Sequence, residues 1–408
     1  VGGGPAGLAA ALGARSAGAD HILVIDREKQ AGGILNQCIH NGFGLHYFDE
    51  ELTGPEYAER FVQQAEQENI HLLNRTYVSN ITPELELEVL SEQAGYLRLH
   101  AGAVVLAMGC RERTRGAIRT PGFRPAGVMT AGLAQKMLNL MGVLPGRQVA
   151  ILGSGDIGLI MARRLTLEGC QVVGVFEAQP YASGLPRNQV QCLDDFDIPL
   201  HLSSSVAFIH GRDRLQKLTI APVGPQFVPD LTRSYDINCD TLLFSIGLIP
   251  ENELSRHLRL KLDPATGGPL VSSTLETSFP GIFACGNVLH VHDIVDFVSE
   301  EATRAGRFAA EVAMNHRRPG DNITLQAGKN IASCVPHSLS PDRPQAIFLR
   351  VKKPMQKSTL SIGNRFQKTF PRAHPAEMIR VILSEEILEH FFDESMTIDI
   401  QPQENSHA

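Results

Sequence analysis

The chain has 408 residues, 43% apolar and 20% charged, the balance of a globular protein with two or three domains rather than one core. Its formal charge of -7, from 37 basic and 44 acidic residues, leaves no electrostatic footprint for nucleic acid. Seven scattered cysteines without a CxxC pair argue against a disulfide framework, a zinc site or an iron–sulfur cluster; no apolar run is long enough to span a bilayer, so reduced thiols in the cytoplasm are expected.

Val1 reads as the end of a strand whose earlier residues precede this numbering. Gly2-Gly3-Gly4-Pro5-Ala6-Gly7 opens an Ala-rich helix, and residues 21–25 form a continuous apolar run of the buried parallel-strand type. Residues 103–107 form another such run, ending in Met108-Gly109. Pro121-Gly122 and Pro125 mark a hinge. The pattern then restarts with a strand at 149–152, a glycine turn at 153–158, a helix at 159–168 capped by Gly169, and a strand at 172–176. A strand at 241–247, a short strand at 281–286 and a helix over about 299–315 follow. Beyond Arg318-Pro319-Gly320 the composition shifts. A period of two at Ile347/Leu349/Val351, Ile379/Val381/Leu383 and Met396/Ile398/Ile400 predicts a small β-rich module.

Gly2, Gly4 and Gly7 match GxGxxG, and Asp26 ends the next strand 24 positions after Gly2. The first glycine permits a tight turn, the second lets backbone N–H groups reach a pyrophosphate, and the third lets the helix approach the strand. The helix N-terminus stabilises the phosphate charge, and the acid accepts hydrogen bonds from a ribose. The same grammar recurs at Gly153, Gly155 and Gly158, with Glu177 again 24 positions after the first glycine. A carboxylate there repels a 2′-phosphate, which favours NAD(H) over NADP(H).

Ala107-Met108-Gly109 and Thr277-Ser278-Phe279-Pro280-Gly281-Ile282-Phe283-Ala284-Cys285-Gly286-Asn287 complete a set of motifs. In their order these resemble the pyridine nucleotide–disulfide oxidoreductase superfamily over about residues 1–318. The resemblance implies an α/β fold of two Rossmann-like domains of glutathione-reductase type, with a C-terminal β-rich module. FAD-binding parts at 1–120 and 248–318 then flank an NAD-binding domain at 121–247, and 319–408 form the module. It implies FAD and NAD(H) as cofactors, with hydride passing between them. Gly32-Gly33-Ile34-Leu35-Asn36-Gln37-Cys38-Ile39-His40, Gly109-Cys110-Arg111-Glu112-Arg113 and Gly184-Leu185-Pro186-Arg187-Asn188 resemble one branch more closely. It comprises the NAD/FAD-binding subunits of hydrogen cyanide synthase, opine oxidase, sarcosine-oxidase-like and glycerol-3-phosphate dehydrogenase-associated complexes. A second flavoprotein or electron-transfer subunit is therefore the expected partner. The family's CxxxxC pair is absent: Leu35 and His40 stand at its positions. Asn287 also replaces the usual Asp, and Met108 the usual Thr.

The expected FAD contacts are Gly2, Gly4, Pro5, Ala6, Gly7, Asp26, Arg27, Gly33, Ala107, Gly109, Gly286 and Asn287. The expected NAD contacts are Gly153, Gly155, Asp156, Ile157, Gly158, Glu177 and Gly247. Cys38 and His40 are the catalytic candidates. Cys38 reads as an electron relay or as an inert small core residue, with no partner thiol in the motif. His290, His292, Asp293 and Asp296 read as part of the flavin motif rather than a metal site, and no metal is expected. The helix expected near Val298 would face the flavin with its N–H groups, and Glu300 and Glu301 would favour its start. Arg111, Arg113 and Arg115 read as anion ligands, as bridges or as solvated residues. Arg350, Lys352 and Lys353 read as a docking patch for a partner or, preferably, as a solvated strand face. Two other readings stay open: a self-sufficient NADH oxidase or reductase using Cys38, and a non-catalytic nucleotide-binding scaffold.

Overall fold

The computed structural model describes residues 1–316, 323–391 and 394–403. The chain divides into two compact units, Val1–Cys110 with Pro250–Ala408, and Arg111–Ile249. The boundary expected at 318/319 lies outside the described residues.

In the first unit the helix Pro5–Ser16 has Gly4 at its N-cap and a proline in its first turn, where a missing N–H costs nothing. Strand Leu23–Ile25 pairs in parallel with His71–Leu73, and Val104–Leu106 with Ile282–Ala284. The second pairing joins segments that lie on either side of the other unit in sequence. The helix Val295–Ala313 runs against Pro5–Ser16 in backbone contact. A Cβ on Gly306 would lie 1.8 Å from Ala10 O, and one on Gly13 would lie 2.2 Å from Thr303 O. The first helix is Ala-rich because this crossing leaves no room for larger side chains; Ala9, Ala10, Ala302, Ala305 and Ala309 are all buried there.

That long helix starts at Val295, not near Val298 or Ser299 as the sequence suggests. Ser299 resembles a cap locally, but it is buried inside the helix and its hydroxyl bonds Tyr57 Oη at 2.7 Å. The true N-cap, Ile294, has no side-chain cap bond. Asp296 and Val298 in that first turn are buried.

The C-terminal strands form two sheets. Ile331–Val335, Gln345–Val351 and Ile379–Leu383 make one. Ser338–Leu339, Ile323–Ala327, Ser395–Pro402, Ser358–Ile362 and Phe366–Phe370 make the other. Between them Ile347, Leu349, Val381, Leu360, Ile398 and their neighbours build a separate core. Alternation predicts one buried face for 345–351, yet Ala346 and Phe348 are buried as well. Phe348 on the opposite face packs on His290, His292 and Phe297 of the same unit.

The second unit is a parallel sheet in the order Val128–Thr130, Thr241–Phe244, Gln148–Leu152, Gln171–Phe176, Leu200–His201. Helix Asp156–Leu167 begins three residues before the expected 159; Glu168 is its C-cap, and Gly169 follows at φ +80°. An antiparallel sheet of Ser204–His210, Lys217–Pro222 and Tyr235–Asn238 completes the unit.

Candidate dinucleotide-binding sites

The first glycine loop has three glycines with three different surroundings. Gly2 stands at φ +102°, and a Cβ there would lie 2.3 Å from Ala107 O. A Cβ on Gly7 would lie 1.7 Å from Gly2 O. Both are glycine because the chain itself leaves no room. Beside Gly4 the nearest atom to a Cβ would be Gly33 Cα at 3.8 Å, so packing does not require glycine there. That open space faces the first turn of the helix, which has no side-chain cap to consume its N–H groups. Pro5 and Ala6 lie in that turn, and Gly286 at φ +70° presses on it, its Cβ position 2.8 Å from Ala6 Cβ. Gly33 lies across the loop, and the preceding Gly32 N–H donates to Gly3 O at 2.7 Å. Asp26 ends the strand. Its Oδ2 accepts the Gly3 N–H at 2.5 Å and its Oδ1 the Glu28 N–H at 2.7 Å. Arg27 beside it is exposed. An open cradle, uncapped N–H groups and a fixed carboxylate are what a dinucleotide pyrophosphate and ribose require.

The second loop repeats this geometry at its first and third glycines and at its acid, whereas a Cβ on the middle glycine, Gly155, would lie 3.2 Å from Ser245 Oγ. Gly153 stands at φ +96°, with its Cβ position 2.1 Å from Ser245 O. Gly158 backs onto Gly153 O and Ser245, and its N–H donates to Ser245 Oγ at 3.0 Å. Glu177 Oε2 accepts the Ser154 N–H at 3.0 Å, as Asp26 accepts the Gly3 N–H. Glu177 Oε1 accepts the Gln179 N–H at 2.8 Å, as Asp26 accepts that of Glu28. Two hydroxyls add to Oε2, from Ser154 at 2.6 Å and Ser183 at 2.9 Å, which leaves Oε1 the more available oxygen. Asp156 opens the helix, and its Oδ1 accepts from Leu185 N–H at 2.8 Å and Asn188 Nδ2 at 2.7 Å. The Gly184–Asn188 segment is thereby tied to the loop, and Ile157 packs inward from the same turn. Gly247, at φ +99°, follows Ser245 as Gly109, at φ +70°, follows Ala107. Ser245 was missed in the sequence, although aligning the two halves of the repeat would have found it.

Around the first loop, Cys38 is half-buried after a short turn of helix, and its thiol donates to Ile34 O at 3.3 Å. The His40 ring lies 5.0 Å from that of Phe43. Burial pushes the thiols of Cys192, Cys239 and Cys334 up to about 11, 12 and 12, so these stay protonated and inert. Asn287 Nδ2 donates to Cys110 Sγ at 3.5 Å, and its Oδ1 accepts the His292 N–H at 3.0 Å. One donor and one acceptor position of that amide remain for a ligand. Arg115 donates to the carbonyls of Thr120, Gly122 and Phe123, inside the second unit. Arg350 is only partly exposed: it donates to Val291 O, Pro375 O and Ala376 O and pairs with Asp293.

His290 and His292 converge on Glu301, which the sequence had suggested only as a helix-start residue; Asp293 instead accepts the Met378 N–H. Burial pushes the His290 imidazole down to about 4. Against the desolvation that would raise it, the two histidines hold the Glu301 carboxyl well below the usual range. The ligand atoms of the three residues lie within 4.8 Å of one another. Each imidazole meets its own carboxylate oxygen, at 2.7 and 3.3 Å.

Two glycine loops, each with its acid at the end of the following parallel strand, fit the binding of two dinucleotides. Residues 1–330 match the pyridine nucleotide-disulphide oxidoreductase family, and the chain belongs to it. Members of this family are FAD- and NAD(P)-dependent oxidoreductases. The chain is 27% identical over 340 residues to hydrogen cyanide synthase subunit HcnB of Pseudomonas protegens, covering 76% of this chain and 68% of that protein. It is 26% identical over 343 residues to an opine oxidase subunit of Agrobacterium tumefaciens, covering 77% and 64%. The fold is shared with T. acidophilum thioredoxin reductase, at a TM-score of 0.59 and 20% identity over 77% of this chain and 96% of that one. No helix among the described residues is long and apolar enough to cross a membrane.

Proposed function

We propose that the chain exchanges hydride between NAD(H) and FAD as one subunit of a multi-component dehydrogenase. The observation that carries this reading is the repeated loop-to-acid geometry, Gly3 N–H on Asp26 and Ser154 N–H on Glu177. Gly2, Gly4, Pro5, Ala6, Gly7, Asp26, Arg27, Gly33, Ala107, Gly109, Gly286 and Asn287 would hold FAD. Gly153, Gly155, Asp156, Ile157, Gly158, Glu177 and Gly247 would hold NAD(H). The divided FAD domain and the inserted NAD domain, at 1–120, 248–318 and 121–247, belong to the same proposal. Bound there, the flavin supplies the hydride chemistry; the chain contributes alignment and exclusion of water, and needs no acid or base in this half-reaction. Glu177 supports NAD(H) over NADP(H), since a 2′-phosphate would meet a buried carboxylate. The missing CxxxxC pair and the multi-subunit enzymes among the relatives support an electron-transfer partner for the other half-reaction. Seven thiols suit a reducing compartment, the cytoplasm.

The test is the anaerobic visible spectrum of the purified, flavin-loaded protein. A flavin band that NADH bleaches, at concentrations at least about tenfold below those needed with NADPH, is the expected result. A band that NADH leaves untouched overturns the NAD assignment, and protein that takes up no FAD leaves only a scaffold. Rapid turnover with NADH and oxygen alone, abolished in Cys38→Ser, would replace the partner with a self-sufficient oxidase.

A further inference from the structure

Glu301 sits in the second turn of the helix Val295–Ala313 and is 1% exposed. Three donors reach its carboxylate: Gly286 N–H at 2.7 Å and His292 Nε2 at 3.3 Å on Oε1, and His290 Nε2 at 2.7 Å on Oε2. All three come from the seven-residue segment 286–292, which therefore wraps around one side chain. The Asn287 Oδ1 bond to His292 N–H closes the segment on itself. Its outer side is covered by the C-terminal strand Gln345–Val351. The Phe348 ring lies 5.8 Å from that of His290 and 5.5 Å from that of His292, and Arg350 donates to Val291 O at 3.0 Å. Its inner side is the Gly286 turn, already in contact with Ala6 in the first turn of the phosphate-loop helix.

We infer that Glu301 is the positioning residue of the flavin-binding turn, and that the C-terminal sheet is the outer wall that holds its two histidines in place. The inference rests on the reading that Gly286 and Asn287 hold FAD. A buried carboxylate is retained at a cost unless its hydrogen bonds do something that an apolar residue of the same volume cannot. Here it satisfies the Gly286 N–H, whose loss would leave a buried donor unpaired and free the turn to tilt away from Ala6. Phe348 and Arg350 transmit the same constraint from the C-terminal sheet, which gives that module a role in the flavin site.

The experiment compares FAD dissociation constants of the full chain, by flavin fluorescence, for the wild type, Glu301→Gln, Glu301→Met, His292→Ala and Arg350→Ala. Binding of NADH to the apoproteins and the thermal melt control for folding. Gln keeps a carbonyl oxygen for the Gly286 N–H, whereas Met keeps only the volume. Glu301→Gln is expected within about tenfold of the wild type and Glu301→Met about a hundredfold weaker, with Arg350→Ala weaker by a few-fold. Equal affinity of the Gln and Met variants would mean that Glu301 merely fills space, and overturns the inference. Should Glu301→Met not fold, His292→Ala decides: about tenfold weaker FAD supports the inference, and wild-type affinity overturns it. Wild-type protein that binds no FAD at all would instead fail the reading beneath it, and the two failures are separable.

Discussion

At the scale of single residues, the three glycines of the first loop make separable predictions. Gly7→Ala would drive its methyl to 1.7 Å from Gly2 O, so the apoprotein should lose about 2 kcal/mol or more of stability, read as a lowered Tm. Gly4→Ala meets nothing nearer than 3.8 Å, at a φ of -76° that alanine adopts freely. Its apoprotein should melt within about 0.5 kcal/mol of the wild type, while FAD binding weakens by at least about tenfold. A Gly4→Ala protein with normal FAD affinity would remove the loop from the cofactor site. The loop residues were legible because glycine spacing states a backbone requirement directly. Glu301 was not, because a glutamate on a helix looks like a solvated residue until the fold brings His290 and His292 onto it.

At the scale of elements, the crossing of Pro5–Ser16 with Val295–Ala313 sets the geometry of the first unit. Gly306 lies with its Cβ position 1.8 Å from Ala10 O, so Gly306→Ala must push the helices apart. The expected loss is about 1–3 kcal/mol, despite the gain in helix propensity, and it should lower Tm and weaken FAD binding together. An unchanged melt would show that the crossing is not tight. The sequence pointed to both helices and to the alanines of the first, but it started the second at Ser299 rather than Val295. The N-cap of that helix, Ile294, makes no side-chain cap bond, so its start carries no cap signature.

At the scale of the whole molecule, the acid stability of the first unit follows from the buried cluster at its centre. Unfolded, His290 takes up a proton near pH 6.5; folded, burial defers this to about 4. A depressed folded value contributes stability that is fully present above 6.5 and is lost as pH falls through the folded value. Glu301, held against desolvation below its ordinary range by the histidines, adds a loss of the same sign in the window below 4.5. The melt of the first unit should therefore fall progressively between pH 6.5 and 4, by about 2–3 kcal/mol, and His290→Asn should flatten that slope. A calorimetric transition independent of pH over this range would contradict the burial of the pair.

The amino-acid order alone determined the two nucleotide loops, their acids, the restart of the fold near residue 149 and the β character of the C-terminus. These rest on local requirements: φ above zero, close backbone approach and strand periodicity, each written in a few adjacent residues. Only the tertiary structure decided which distant groups share a site. It put Ser245 under the second loop, Ser183 and the 184–188 segment onto Glu177 and Asp156, and Glu301 between His290 and His292. It also tied Arg350, expected on a solvated face, to Val291 O, and set Phe348 against His290 and His292. Those contacts depend on parallel pairing between segments far apart in the chain, such as Val104 with Ile282. No local pattern encodes such a pairing, because its energy comes from burial that exists only once the whole sheet has formed.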